Sequence, residues 1–239
     1  MDELAEGGHS APANHSKPHF HGHRERLRRR LLEQGPGSLS DYEVIEFLLF
    51  GAKPRGDVKP LAKALIAQFG SLAGVLSAAP RDLQKVPGMG DASTAALLII
   101  REAATRLART DILEQPVIES WTQLVGYCRS IMGRSSVEHF RVLFLDRKNR
   151  LIADEEQQRG TVDHTPVYPR EVVKRALELS ASAVILVHNH PSGDATPSQG
   201  DIDMTKEIRE TARRMGIELH DHLIVTRSGE SSFRSLGLI

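Results

Sequence analysis

The sequence predicts an α/β protein in which a small, all-helical domain precedes a domain built on a mixed sheet. Two observations predict this order. From residue 36 to 113 the apolar residues recur at helical spacing, whereas after residue 117 short apolar, β-branched runs alternate with helical segments. The stretch 114–116 has the composition of a linker. We therefore expect a tail and the start of a basic helix at 1–35, a helical domain at 36–113 and an α/β domain at 117–239.

Composition excludes several classes of protein. With 40% hydrophobic residues, 26% charged residues and a formal net charge of zero, the chain has no global electrostatic attraction for nucleic acid or a membrane surface. It contains no apolar run near the roughly 18 residues that a membrane-spanning helix needs. Its single cysteine, Cys128, excludes an intramolecular disulfide and favours a reducing, cytoplasmic location. The oligomeric state is left open.

The amino-terminal segment is polar and rich in histidine and arginine. Residues 1–18 have the composition of a disordered tail, and five histidines crowd residues 9–23. From Arg24 to Arg30, five arginines are opposed only by Glu25. A helix with this charge suits contact with DNA phosphate and equally suits a solvated helix face, so both interpretations stay open.

Four helices with recognisable end signals are predicted for the helical domain. Polar residues that cap helices precede the first, and a glycine follows the second. The first expected helix is capped by Ser40 or Asp41, and the second runs from Leu61 to Phe69 and ends at Gly70. The third covers 72–76 and the fourth covers 92–107.

The segment before the last of these helices resembles a helix-hairpin-helix. In residues 83–90, Gly88 and Gly90 permit a tight turn and would offer backbone N–H groups to a DNA phosphate. Asp91 places a negative charge where that phosphate would lie. A structural or protein-docking hairpin is therefore an equal interpretation.

In the α/β domain, strands and helices follow one another in an order typical of a mixed sheet. Ser120 and Pro169 mark the starts of two of the helices. The predicted elements are helix 121–132, a strand opened by Glu138, strands 150–155 and 160–164, helix 169–180, strand 183–187, helix 199–215 and strand 217–225.

The most informative motif lies at the end of the strand 183–187. His188 and His190, two residues apart, project from the same side of an extended chain, and Asp201 follows eleven residues after the second histidine. Two histidines and one carboxylate leave a fourth position open, as in catalytic rather than structural zinc sites. The same ligand types also suit non-haem iron. Ser198-x-x-Asp201 is, alternatively, an ordinary capping box at a helix start.

These residues resemble a known family. His188-x-His190-Pro191 with Ser198-x-x-Asp201 is similar to the JAMM motif of the MPN metallohydrolases, and the string 188–198 resembles the RadC-like, UPF0758-type branch of bacteria. The likeness extends through 168–172 and 219–224 and reaches Gly22-His23-Arg24. It implies an MPN/JAMM domain with a cytidine-deaminase-like, three-layer arrangement around a mixed sheet.

The resemblance also implies roles for individual residues. One Zn²⁺ per chain would be held by His188, His190 and Asp201 and would lower the pKa of its water to about 7. Glu138 would act as general base and then general acid, with Glu171 as a competitor that looks like a first-turn helix residue. Ser198 would stabilise the oxyanion. The reaction implied is hydrolysis of an amide or isopeptide bond in a protein or peptide substrate.

Two further histidines occur in the last predicted strand. The alternation of Ile217, Leu219 and Leu223 places His220 and His222 on the face opposite Ile217 and Leu219. We expect them to be structural or supporting residues and not ligands. The alternative function for the whole chain is a DNA-associated repair or recombination accessory protein in which the metal site is structural or vestigial.

Overall fold

The structure, a computed structural model, describes residues 22–113, 116–117, 119–160 and 167–239. Its elements, in chain order, are α1 (His23–Gln34), a 3-10 turn (Pro36–Ser38), α2 (Asp41–Ala52), α3 (Lys59–Phe69), α4 (Leu72–Ser77), α5 (Pro80–Gln84), α6 (Asp91–Leu113), α7 (Trp121–Met132), β1 (Glu138–Leu145), β2 (Leu151–Gly160), α8 (Pro169–Glu178), β3 (Ala183–Asn189), α9 (Gln199–Arg214), β4 (Glu218–Val225) and β5 (Glu230–Ser232). The tail and four of its five histidines lie outside the described residues.

The helical domain is organised around one apolar core. Helices α2 to α6 contribute fully buried side chains to it, because each has its apolar residues on one stripe. The largest are Ile45, Leu49, Leu65, Leu83 and Leu97. Among the described residues, no helix is long and apolar enough to cross a bilayer.

Helix α1 packs on α2 through polar contacts. His23 Nε2 lies 2.6 Å from the buried Glu46 carboxylate, and Arg30 lies 2.6 Å from Glu43. The Arg24 guanidinium donates to the carbonyl of Pro54 at 2.9 Å, beyond the end of α2, and stacks over the Phe50 ring. The expected basic helix is thus packed on the helical domain, and two of its arginines are engaged within the protein.

The segment expected to form a hairpin joins α5 to α6 through a short turn. Gly88 has a φ of +93°, a left-handed conformation that favours glycine. Asp91 begins α6 and accepts a hydrogen bond of 2.8 Å from the Gln84 amide at the end of α5. This bond ties the two helices together. A DNA-binding hairpin stays a prediction.

The second half of the chain forms a mixed sheet, as predicted. Within the described residues it has five strands in the order β2-β1-β3-β4-β5. Strand β3 pairs parallel with β4, while β1 pairs antiparallel with both β2 and β3. The central strand β3 is buried along its whole length, which explains its continuous apolar sequence.

Helices cover both faces of the sheet, which gives three layers. On one face, α7 and the end of α6 pack against alternate residues of β1, β3 and β4, such as Leu143, Ile185 and Leu223. On the other face, α8 and α9 pack against Phe144 and Leu186. The α/β class and the layered, mixed-sheet architecture are confirmed.

Two predicted boundaries were wrong. The separate strands expected at 150–155 and 160–164 are a single strand, β2, up to Gly160, and residues 161–164 lie outside the described part of the chain. Helix α6 continues six residues past Leu107, since Ile112 is fully buried against α7 and the sheet. Tertiary packing extends this helix where the local pattern weakens.

The face predicted for His222 was also wrong. Leu219 pairs with Val184, but the next residue of β3, Ile185, pairs with Asp221, so His220 is an extra residue in β4. Such a bulge shifts the alternation by one position. His222 therefore lies on the same sheet face as Leu219.

Candidate metal centre

His188 and His190 leave the sheet together at the end of β3. His188 lies opposite Phe140 of β1 and is almost completely buried. The backbone N–H of His190 donates to Val225 of β4 at 3.2 Å, so the chain stays extended one residue beyond the strand. The two imidazoles thus share one side of a rigid backbone, as the spacing predicted.

The loop after His190 orients its ring. The backbone N–H of Gly193, at φ +90°, donates to the His190 carbonyl at 3.1 Å and closes a turn. The turn brings the carbonyl of Asp194 to 2.7 Å from His190 Nδ1, which donates to it. Because Nδ1 donates to this carbonyl, Nε2 is the His190 nitrogen that faces Asp201 and His188, and a metal ion would bind there in place of a proton.

Asp201 completes the group from the start of α9. Its Oδ1 lies 3.3 Å from His188 Nε2, its Oδ2 lies 3.6 Å from His190 Nε2, and the two ring nitrogens are 2.9 Å apart. Atoms that bind one zinc ion tetrahedrally, at about 2.0–2.1 Å, lie about 3.3 Å from one another. The observed separations bracket that value. Among the described residues, these three form the one group of at least three His, Cys, Asp or Glu side chains close enough to share an ion.

The protonation of the group suits a cation. Burial lowers the pKa of His188 to about 4, so its imidazole is neutral near pH 7. Burial alone would raise the pKa of Asp201, but hydrogen bonds from His190 and Ser198 outweigh it and hold that pKa well below its usual range. A neutral, buried imidazole and a fully ionised carboxylate are the forms that bind metal.

Ser198 connects the centre to the helix start. Its hydroxyl donates to Asp201 Oδ2 at 2.6 Å, and its Oγ accepts from the Asp201 backbone N–H at 3.2 Å. The capping box considered as an alternative is therefore present. It does not compete with the ligand interpretation, because the cap fixes the Asp201 carboxylate beside both histidines.

Glu138 reaches the same corner of the domain from β1. The antiparallel register pairs Phe140 with His188. Glu138 is two residues before Phe140 and His190 is two residues after His188, so the two lie opposite each other on the same face. Hydrogen bonding to Asp201 chiefly raises the pKa of His190, and the negative charge of Glu138 adds to the shift. The half-buried Glu138 thus lies within electrostatic reach of the centre.

Asn189, between the two histidines, holds the strand that carries Glu138. Its side-chain oxygen accepts from the His139 backbone N–H at 2.8 Å, and its amide donates to the Val137 carbonyl at 3.1 Å. The fully buried Asn189 side chain therefore secures the peptide groups on both sides of Glu138.

The competitor Glu171 lies elsewhere. It occupies the first turn of α8 and pairs with Arg170 at 3.3 Å. Its side chain is about half exposed beside Lys174 and Glu155, on the outer side of β2. This position matches the helix-start interpretation.

His222 lies beside the centre as a supporting residue and not as one of the three ligands, in line with the expectation from the sequence. Its Nε2 lies 2.7 Å from His188 Nδ1, and its Nδ1 lies 2.6 Å from Thr205 Oγ1. The repeated His-x-His spacing in β4 was a signal, but strict alternation gave the wrong face. His220, by contrast, bonds to Asn149 at 2.7 Å and does not join the group.

Two protein-family models match different parts of this chain. The RadC-like JAB domain family matches residues 118–238, and the UPF0758 N-terminal family matches residues 21–95, which include α1. A UPF0758 protein of Rhodobacter capsulatus is 58% identical over 213 residues, covering 89% of this chain and 100% of that relative.

Proposed function

Because the chain belongs to the RadC-like UPF0758 family, we propose that it is a JAMM-type metallohydrolase that cleaves an amide or isopeptide bond in a protein or peptide. One observation carries the proposal: His188, His190 and Asp201 converge on a single point, and the register of β1 brings Glu138 level with them. A purely structural metal site would need no such carboxylate at its side. The single, buried Cys128 is consistent with the cytoplasmic location that we also propose.

One Zn²⁺ is the proposed cofactor, held by His188, His190 and Asp201. Two imidazoles and one carboxylate that leave a fourth position open are the ligand set of catalytic zinc sites, and the separations of 2.9–3.6 Å are compatible with it. When bound, zinc acts as a Lewis acid that lowers the pKa of water from about 15.7 to about 7.

The chain itself supplies the proton transfers and the positioning. Glu138 accepts a proton from the attacking water and returns it to the leaving amine. Because Glu138 lies beside His190, its carboxylate would take the proton from a water held next to the proposed ligands. Ser198 orients Asp201 in the resting protein, and its hydroxyl, when it rotates away from that carboxylate, donates to the oxyanion of the substrate carbonyl.

The hydrolase is proposed in preference to a DNA-binding accessory protein. Arg24 and Arg30 are engaged with α2 and its following loop, and Asp91 lies at the amino end of α6, where a phosphate would need a positive environment. These contacts leave fewer positive charges for DNA at Arg24–Arg30 and place a negative charge beside Gly88–Gly90, so they count against a DNA interface.

The first experiment measures the metal content of the full-length protein in which the tail histidines His9, His15, His19 and His21 are replaced by Gln. These replacements prevent the tail from scavenging metal. We expect about one zinc per chain, its loss in His190→Ala, and its retention in Glu138→Gln. No bound metal after incubation with zinc overturns the proposal.

The second experiment tests hydrolysis. Wild type and the Glu138→Gln variant are incubated with a proteome-derived peptide and protein mixture in ¹⁸O-labelled water, and new carboxyl ends are identified by mass spectrometry. We expect ¹⁸O-labelled products only with wild type, since Glu138→Gln keeps the metal but loses the base. Identical product sets from the two proteins overturn the hydrolase.

A further inference from the structure

A buried chain of hydrogen bonds stands behind the metal centre. It runs from His188 Nδ1 to His222 Nε2 at 2.7 Å, from His222 Nδ1 to Thr205 Oγ1 at 2.6 Å, and from Thr205 Oγ1 to the Asp201 backbone carbonyl at 2.5 Å. His188, Thr205 and His222 are all almost completely buried. The chain therefore begins at one proposed ligand and ends at another.

The direction of these bonds follows from the number of protons. A threonine hydroxyl has one proton, and Thr205 donates it to the Asp201 carbonyl, as threonines within helices commonly do. Toward His222, Thr205 Oγ1 can then only accept, so Nδ1 of His222 carries the proton. The His222 ring is fully buried, and within the described part of the chain its two nitrogens contact only the Thr205 hydroxyl and the His188 ring, with no carboxylate to pair a charge. The ring therefore carries one proton, on Nδ1, and its Nε2 is an acceptor.

The tautomer of His222 fixes the tautomer of the proposed ligand His188. An acceptor at His222 Nε2 requires a proton on His188 Nδ1. The opposite nitrogen of His188, Nε2, then holds a lone pair, and this atom faces His190 and Asp201. The reverse direction of the chain would put a proton on His188 Nε2 and prevent it from binding metal.

The His222 ring is fixed by aromatic packing. It stacks on Phe233, with ring centroids 4.5 Å apart, and meets the edge of Phe140 at 5.7 Å. Both contacts resist a ring flip that would exchange the two nitrogens. The bulge at His220 is what turns this ring toward His188.

We propose that His222, oriented by Thr205, is a positioning residue that holds His188 in the Nδ1–H tautomer and so directs its Nε2 lone pair into the metal centre. The role in metal binding rests on the proposed function. Its first prediction, the tautomer, concerns the metal-free protein.

The tautomer is measured by ¹⁵N NMR of the histidine rings in the metal-free, full-length protein. We expect protonated Nδ1 and unprotonated Nε2 in both His188 and His222. A proton on Nε2 of His188 overturns the proposal. Because no metal is added, this result does not depend on the hydrolase being correct.

The effect on metal binding is measured as the zinc dissociation constant by competition with a chelator. Removal of a hydrogen-bond partner behind a metal ligand typically weakens binding about 10–100-fold. We expect that loss for Thr205→Val and for His222→Phe. Thr205→Ser and His222→Gln keep the hydroxyl and the acceptor, respectively, and should stay within about threefold of wild type.

Thr211→Val is the matched control. Thr211 makes the same type of bond in α9, from Oγ1 to the Glu207 carbonyl at 2.8 Å, but this bond is exposed and Thr211 itself is only partly buried. It should not change the zinc constant. Equal zinc dissociation constants for Thr205→Val, Thr205→Ser and wild type overturn the proposed role of Thr205 and His222. The two Thr205 variants give this answer even if the His222 variants fail to fold. If wild type binds no zinc, the proposed function fails, and the NMR result still decides the tautomer.

Discussion

The side-chain oxygen of Asn189 accepts a hydrogen bond of 2.8 Å from the backbone N–H of His139, across the point where β3 ends. With the second bond to the Val137 carbonyl, the amide replaces the backbone pairing that β3 no longer supplies. The residue between the two proposed ligands thus keeps the start of β1, and with it Glu138, against the metal centre.

Asn189→Ala should lower the free energy of unfolding by about 1–3 kcal/mol, since it leaves the partly buried N–H of His139 and carbonyl of Val137 without the Asn189 amide as partner. Urea unfolding of the full-length protein measures the loss. The exposed neighbour Ser192→Ala serves as control and should change stability by less than about 0.5 kcal/mol. Equal stability of the two variants would contradict the role assigned to the Asn189 amide.

Zinc should stabilise the folded protein against heat. A ligand that binds only the native state, at a free concentration one hundred times its dissociation constant, adds about 2.7 kcal/mol. The rise in melting temperature should be reversed by EDTA and should be absent in Asp201→Asn. An equal rise in that variant would place the bound zinc elsewhere.

Acid should weaken the contact between α1 and α2. Burial by itself would raise the pKa of Glu43, but the ion pair with Arg30 and hydrogen bonds from Ser40 lower it to about 2 from an ordinary value of 4.5. A depressed folded-state pKa stabilises the protein above the unfolded pKa, and this stabilisation is lost as pH falls from about 4.5 toward 2.

Glu43→Gln should therefore be less stable than wild type near pH 7, by about 1 kcal/mol because solvent screens the pair with Arg30, and the difference should shrink toward zero near pH 2. Urea unfolding at a series of pH values measures it. A difference that does not change with pH would show that the charge of Glu43 is not its cause.

His23→Ala should destabilise the helical domain strongly. The Glu46 side chain is fully buried, and His23 is its partner at 2.6 Å, so the substitution leaves a buried carboxylate unpaired, at a cost of about 3 kcal/mol. The double variant His23→Ala/Glu46→Leu should recover part of that loss. Arg28→Ala, which removes an exposed pair with Glu25, should cost less than about 1 kcal/mol and is the control.

The sequence by itself determined the parts of this protein that depend on local backbone periods. The period of two in β3 places His188 and His190 on one side, and the cap at Ser198 starts the helix that carries Asp201. Gly70 likewise ends α3 where predicted, with a left-handed φ of +82°. These features are encoded within a few residues, so they can be read without knowing the fold.

Only the tertiary structure decided which distant residues meet. Glu138 and His190 come level through the register between β1 and β3, and His222 reaches His188 because a bulge shifts the alternation of β4. The extension of α6 depends on the burial of Ile112 against α7 and the sheet. Register, bulges and burial are set by the pairing of segments far apart in the chain, and no local pattern contains that information.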